Sequence, residues 1–272
     1  VLSEIEMLCG KKRGTKRQPL QISLVGIGMG NGKLLTGEAR EAIEQAKAVC
    51  GAKRLLAATD TLIATDAEKR EAYLPADLLP YIYSCGERKI GRIAILFSGD
   101  TGFYSAAEKL GAVLERRGNY TVEVIPGISS VGYFFAKIRR PWDHAKLFSM
   151  HGQAANFALE LKRSGSAFIL GGGADFYETI CGQLIDLGMQ ETKLFAGENL
   201  TLKDEQIFEA TPESLTDRKA PSLAVLYAEW TGPRRPLSHG IADEAFTRGK
   251  VPMTKMEVRT VSVAKLELTE HS

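Results

Sequence analysis

The sequence predicts an α/β protein of two α/β units, with mixed sheets and a ligand cleft between them. Three observations carry this. Strands that end in glycine-containing loops and lead into helices occur at 21–46 and again at 93–138. A second strand-helix alternation runs from 145 to 196. Beyond it, 206–209 and 222–228 read as strands with no long helix between them, a pattern that favours antiparallel pairing.

Residues 1–20 read as an N-terminal extension, a short amphipathic segment followed by Lys11-Lys12-Arg13-Gly14-Thr15-Lys16-Arg17. No aromatic interleaves those charges, so the run reads as a solvated linker rather than a nucleic-acid arm. A strand over 21–25 leads into Gly26-Ile27-Gly28-Met29-Gly30-Asn31-Gly32, and a helix follows over 35–46 with Thr36 near its start. Strand, glycine loop and helix suit a nucleotide-type loop, and plain turn chemistry equally. The Gly-x-Gly-x-x-Gly fingerprint fails in both registers, because its last position holds Asn31 or Lys33.

The strand over 93–97 empties into Ser98-Gly99-Asp100, residues suited to a tight turn that exposes backbone to a ligand. A helix over 106–114 ends at Gly118-Asn119, and a strand over 120–125 ends in Pro126-Gly127-Ile128-Ser129-Ser130. Ligands of open α/β sheets sit beyond the carboxyl ends of strands, so these paired loops mark a site. The helix over 130–138 is broken at Arg139-Arg140-Pro141-Trp142, which places the boundary between the units 21–141 and 142–232. The second unit reads as strand 145–149, helix 154–162, strand 167–170, helix 174–187 and strand 192–196.

Composition excludes several classes. Of 272 residues, 44% are hydrophobic and 25% charged, which suits a globular protein. The net charge of +2 does not argue for nucleic acid as a partner. No apolar run is long enough for a membrane span and the start lacks a signal-peptide layout, so the expectation is a cytoplasmic protein. Cys9, Cys50, Cys85 and Cys181 form no Cys-x-x-Cys pair, and the four histidines show no metal-ligand spacing, so no metal site is expected.

The order of the loops resembles the tetrapyrrole methylase superfamily, whose members bind S-adenosylmethionine between two α/β domains in a class III methyltransferase fold. Val25-Gly26-Ile27-Gly28-Met29-Gly30 is similar to that family's Val-Gly-x-Gly-Pro-Gly, with Met29 where proline is usual. Ser98-Gly99-Asp100-Thr101-Gly102-Phe103-Tyr104 is similar to its Ser-Gly-Asp-Pro-x-x-Tyr turn, with Thr101 in place of proline. Both departures are expected to loosen their turns. Within the superfamily the chain resembles the precorrin methyltransferases that act at carbon 5. The matching segments are Pro126 to Val131, Pro141-Trp142-Asp143, Ser149-Met150-His151-Gly152, and Gly197-Glu198-Asn199-Leu200 with Glu205 after it. Gln153 stands where that group has arginine. Residues 233–272 read as a linker followed by segments, 239–246 and 251–259, that look like the opening of a carbon-15 methyltransferase and decarboxylase. The expectation is a piece of a bifunctional protein; the alternative is an ordinary C-terminal extension.

The resemblance implies methyl transfer from S-adenosylmethionine to the C5 meso carbon of a precorrin, with S-adenosylhomocysteine as product and a homodimer as the assembly. It implies cofactor contacts at Gly28, Ser98, Gly99, Asp100, Phe103, Ser129, Ser130 and Leu170. Each also has a structural reading, since Ser129 and Ser130 lie where a helix N-cap is wanted and a turn aspartate often bonds its own backbone. Asp100 and His151 are the candidates for catalysis, and Lys137, Arg139 and Arg140 for substrate carboxylates or simply a solvated cluster. Competing functions are another tetrapyrrole position, diphthine or ribosomal RNA methylation, a nicotinamide oxidoreductase, and a non-catalytic binding module.

Overall fold

The computed structural model describes residues 19–116, 120–150, 156–232, 240–247 and 252–266. In chain order the first unit contains β1 (Leu20–Gly26), α1 (Gly37–Glu44), β2 (Ala48–Gly51), α2 (Lys53–Ala58), β3 (Glu68–Glu71), α3 (Pro75–Glu87), β4 (Arg92–Phe97), α4 (Ala107–Glu115), β5 (Tyr120–Ile125) and α5 (Ser130–Ile138). Its sheet has the order β3-β2-β4-β1-β5 and is parallel throughout. Parallel sheets are covered on both faces, and β1, β2 and β4 are accordingly near-continuous apolar runs. Ile22, Leu24, Cys50, Ile93 and Ile95 pack on one side under α3 and α4. Val25, Val49, Ala94 and Leu96 pack on the other under α1 and α2. Burial, reinforced by the nearby Cys85, pushes the Cys50 thiol up to about 12, so it stays protonated as a core residue.

The Thr36 hydroxyl caps α1, accepting the Ala39 N–H at 3.1 Å. The helix begins two residues later than the 35–46 pattern because Gly32–Leu34 forms a separate 3-10 turn.

The second unit contains β6 (Lys146–Ser149), α6 (Phe157–Ser164), β7 (Ser166–Gly171), α7 (Phe176–Asp186), β8 (Lys193–Glu198), β9 (Gln206–Ala210), α8 (Pro212–Leu215) and β10 (Ala224–Glu229). The order is β6-β7-β10-β8-β9, with β6 and β7 parallel and every other pair antiparallel. Helix α6 starts at Phe157 because Asn156 is its N-cap, accepting the Leu159 N–H at 3.1 Å. Helices α6 and α7 bury one face of this sheet.

The other face is covered by α5, which precedes Trp142 in sequence and directly follows a strand of the first sheet. Its Val131, Phe134 and Phe135 pack against Phe168, Phe195 and Tyr227, with Phe135 and Tyr227 ring centroids 4.6 Å apart. Gly197 of β8 makes room, since a Cβ there would stand 2.7 Å from the Phe134 ring. The helix ends before Pro141, with Arg139 as a left-handed C-cap at φ 56°.

Near the C-terminus, Arg259 of α9 (Met256–Lys265) donates to Asp243 at 2.6 Å, to the Ile241 carbonyl at 2.7 Å and to the Thr254 carbonyl. Among the described residues no helix is long and apolar enough to cross a membrane.

Candidate active site

Three loops leave the carboxyl ends of the adjacent strands β4, β1 and β5 and meet through their main chains. The Gly28 N–H donates to the Gly99 carbonyl at 3.1 Å, and the Gly99 N–H donates back to Gly28 at 2.7 Å. Both residues have left-handed backbones, φ 66° and 70°, which glycine adopts at little cost. A Cβ on Gly127 would lie 2.3 Å from the Gly99 oxygen and 2.6 Å from the Gly26 carbonyl carbon. These loops are therefore packed backbone on backbone. At Gly99, by contrast, a Cβ would meet nothing within 4 Å.

Asp100 braces the same junction. One carboxylate oxygen accepts the Gly102 N–H at 2.8 Å, and the other accepts the Gly127 N–H at 3.1 Å. Thr101, where the resemblance led us to expect a loosened turn, is buried, with its hydroxyl 3.4 Å from the Ile125 carbonyl oxygen. Met29, at the other missing proline, is half-buried against the α5 aromatic cluster. Ser98 is exposed beside this junction. The Ser129 hydroxyl is the N-cap of α5, accepting the Val131 N–H at 3.2 Å, and Ser130 is the first helical residue.

The facing wall belongs to the second sheet. Phe103 and Leu170 are half-buried against the cluster that contains Phe168. The Tyr104 hydroxyl donates to the Leu147 carbonyl of β6 at 3.0 Å, joining the two units. Between them is a cleft of about 530 Å³ lined by Thr101, Gly102, Phe103, Tyr104, Glu108 and Leu147, among others. Two of the three glycines after Leu170 answer to internal packing: a Cβ on Gly171 would stand 2.2 Å from the Phe176 ring, and one on Gly172 would stand 2.2 Å from the Ser222 oxygen, whereas one on Gly173 would meet nothing within 4 Å. His151, Gly152 and Gln153 lie outside the described residues.

The basic candidates divide. Lys137 lies 3.7 Å from a Glu205 oxygen and 5.1 Å from the Tyr133 ring centre. Arg140 lies 3.5 Å from Glu229, and Arg139 is exposed at the helix cap. Glu205 also accepts the Tyr133 hydroxyl at 2.7 Å and the Thr201 N–H at 2.6 Å. Burial pushes its carboxyl up, but the Thr201 N–H, the Tyr133 hydroxyl and the Lys137 charge outweigh that and hold it below the usual range. Glu198 is buried, accepts the Tyr177 hydroxyl at 3.0 Å, and is held by both arms of Arg218 at 2.8 and 2.6 Å. Arg218 and Tyr104–Leu147 carried no sequence signal as pairs, because their partners lie 20 and 43 residues away.

Among the described residues no group of three or more His, Cys, Asp or Glu side chains is placed to hold a metal ion. Two α/β units, each built on a five-stranded sheet, form the two-domain class III methyltransferase fold. Residues 21–216 match the tetrapyrrole (corrin/porphyrin) methylases. The sequence is 31% identical over 186 residues to the cobalt-precorrin-7 C(5)-methyltransferase of Salmonella typhimurium, spanning 68% of this chain and 88% of that protein. It is also 31% identical over 200 residues to a probable enzyme of the same name from Methanocaldococcus jannaschii, spanning 68% and 87%. The uroporphyrin-III C-methyltransferase of Thermus thermophilus, solved with S-adenyl homocysteine, superposes with a TM-score of 0.61 at 21% identity, covering 77% of this chain and 97% of that one. The chain belongs to the tetrapyrrole methylase family, and is an S-adenosylmethionine-dependent methyltransferase.

Proposed function

We propose that this enzyme methylates the C5 meso carbon of a precorrin macrocycle in cobalamin synthesis. The C5 position is supported by the 31% identity to the cobalt-precorrin-7 C(5)-methyltransferase of Salmonella typhimurium, and the cofactor by Gly99, which is bonded to Gly28 on both main-chain groups yet faces open space where a side chain would stand. Such a cradle fits the S-adenosyl group. When bound, that group supplies an electrophilic methyl on sulfonium together with its own leaving group. The chain's task is alignment and exclusion of water, which contributes up to about 7–11 kcal/mol in well-oriented reactions. In this reading Gly28 and Gly99 give the cofactor room beside the paired main chain, Ser98 and Ser129 offer it hydroxyls, and Ser130 stands at the helix start. Phe103 and Leu170 supply an apolar wall. Asp100 holds the loops in place, since both of its oxygens accept backbone N–H groups. His151 is proposed as a proton acceptor or substrate partner on the strength of its place in Ser149-Met150-His151-Gly152. Lys137, Arg139 and Arg140 are proposed to meet substrate carboxylates; all three are exposed, and Lys137 and Arg140 already have carboxylate neighbours.

A homodimer is supported by exposed apolar surface at Val124 and Ile128 beside the edge strand β5. A cytoplasmic location is supported by the free, buried Cys50, Cys85 and Cys181. Residues 240–247 and 252–266, gathered on Arg259, are proposed to belong with a carbon-15 activity, fused or associated. Calorimetric titration with S-adenosylhomocysteine is expected to show binding, and its absence sinks the reading. Labelled methyl transfer to metal-free and cobalt-containing precorrin, with the product carbon assigned by NMR, then decides between C5 and another position.

A further inference from the structure

We infer that Tyr104 is a stacking platform for the flat conjugated face of the substrate, a substrate-binding residue with no part in holding the cofactor. This rests on the tetrapyrrole substrate class proposed above. Three features fix Tyr104 in place. Its backbone is left-handed, φ 48°, an uncommon conformation for a bulky side chain. Its hydroxyl crosses to the other unit, donating to the Leu147 carbonyl at 3.0 Å. Its ring meets Phe103 edge to face at 4.8 Å and 66°. Phe103 is itself set against Phe168, with centroids 6.3 Å apart.

The ring is thus fixed at its hydroxyl and against Phe103, yet the residue is 58% exposed. A core tyrosine would be covered, and a loose surface tyrosine would have no reason to keep a strained backbone and a bond across the cleft. What remains is a rigid aromatic surface presented to solvent at a cleft of about 530 Å³. That volume lies in the range of ligand sites, and a π-face held in advance suits another π-face. Thr101 is buried and Leu147 half-buried beside it, while the carboxylate of Glu108 is exposed.

The test uses the whole chain and uroporphyrin, a flat polycarboxylate macrocycle, followed by its absorbance, with S-adenosylhomocysteine measured separately by calorimetry. Tyr104→Asn removes the ring but tolerates the left-handed backbone; Tyr104→Phe keeps the ring and removes only the bond to Leu147. The expected result is uroporphyrin affinity about tenfold weaker in Tyr104→Asn, and within about threefold of wild type in Tyr104→Phe. Affinity for S-adenosylhomocysteine stays as in wild type, and Tm falls only slightly in both variants, since both lose the bond to Leu147. Unchanged uroporphyrin affinity in Tyr104→Asn overturns the platform, as does a wild-type protein that binds S-adenosylhomocysteine but no uroporphyrin. A parallel fall in both affinities and in Tm also overturns it, by showing that Tyr104 only holds the two units together. Failure of wild type to bind S-adenosylhomocysteine is a separate outcome, and it removes the methyltransferase reading along with the platform.

Discussion

The loops after β1, β4 and β5 meet main chain on main chain, whereas the second sheet and α5 meet through side chains. On the first side Gly26 and Gly127 leave no room for one added carbon beside the Gly99 carbonyl. On the second, Phe168, Leu170 and Tyr227 fill space, and Glu205 collects bonds from Tyr133 and Thr201. Main chain cannot be trimmed or extended by mutation except through its Cβ, so the first side should fail abruptly. Side chains have near-equivalents, so the second should fail by degrees.

The largest effect tests the first side. Gly127→Ala places a carbon against backbone atoms 2.3 to 2.7 Å away and is expected to cost about 4 kcal/mol or more, read as the urea unfolding midpoint. A loss under about 1 kcal/mol would show that the loops part freely and would erase the contrast. Gly99→Ala meets open space and is expected to cost only about 1–2 kcal/mol through its left-handed backbone. Its binding of S-adenosylhomocysteine should nonetheless be lost, which separates packing from ligand room.

Arg218→Ala is expected to cost about 2–3 kcal/mol, because it leaves the buried Glu198 carboxylate with only the Tyr177 hydroxyl. If the second side fails by degrees, Arg218→Lys recovers part of that loss in the same unfolding assay. Asp100→Ala removes two acceptors of backbone N–H groups and is expected to cost about 2 kcal/mol. Asp100→Asn keeps one acceptor oxygen and should fall between, and weaker S-adenosylhomocysteine binding should follow the same order. Equal stability of all three proteins would remove Asp100 as a brace.

Glu205→Gln is the mildest change, under about 1 kcal/mol at neutral pH, since the one oxygen that accepts from both Tyr133 and Thr201 is kept as the amide oxygen. Its signature is the acid limb. The Glu205 carboxyl is held below its usual range in the folded protein, so its stabilisation is full above the unfolded pKa. It is lost as the pH falls through that value and then through the lower folded one. Wild-type Tm should therefore drop toward that of the variant in that acid window, and parallel curves would deny Glu205 this role.

Much of this contrast was legible residue by residue. Strands β1 and β4 announce themselves as apolar runs that empty into glycine-containing loops, Thr36 and Ser129 sit at real N-caps, and 130–138 is a helix as expected. The expectation of mixed sheets describes the second sheet, while the first is parallel throughout. The stretch from β2 to α3 gave no usable pattern. Strand β2 is four residues long, β3 is the exposed run Glu-Lys-Arg-Glu at a sheet edge, and α3 contains Pro80. An edge strand that buries nothing has no hydrophobic period to read.

By itself the sequence determined the local grammar: where strands stop, which loops need glycine, which helix face is apolar, and the family its motifs resemble. These follow from backbone sterics and periodicity within a few residues. Only the tertiary structure decided that β1 lies between β4 and β5, so that Gly28, Gly99, Asp100 and Gly127 meet. It also decided that α5 covers the second sheet and that Tyr104 reaches Leu147. An apolar face states only that it must be covered; which face covers it depends on how the whole chain buries its surface at once.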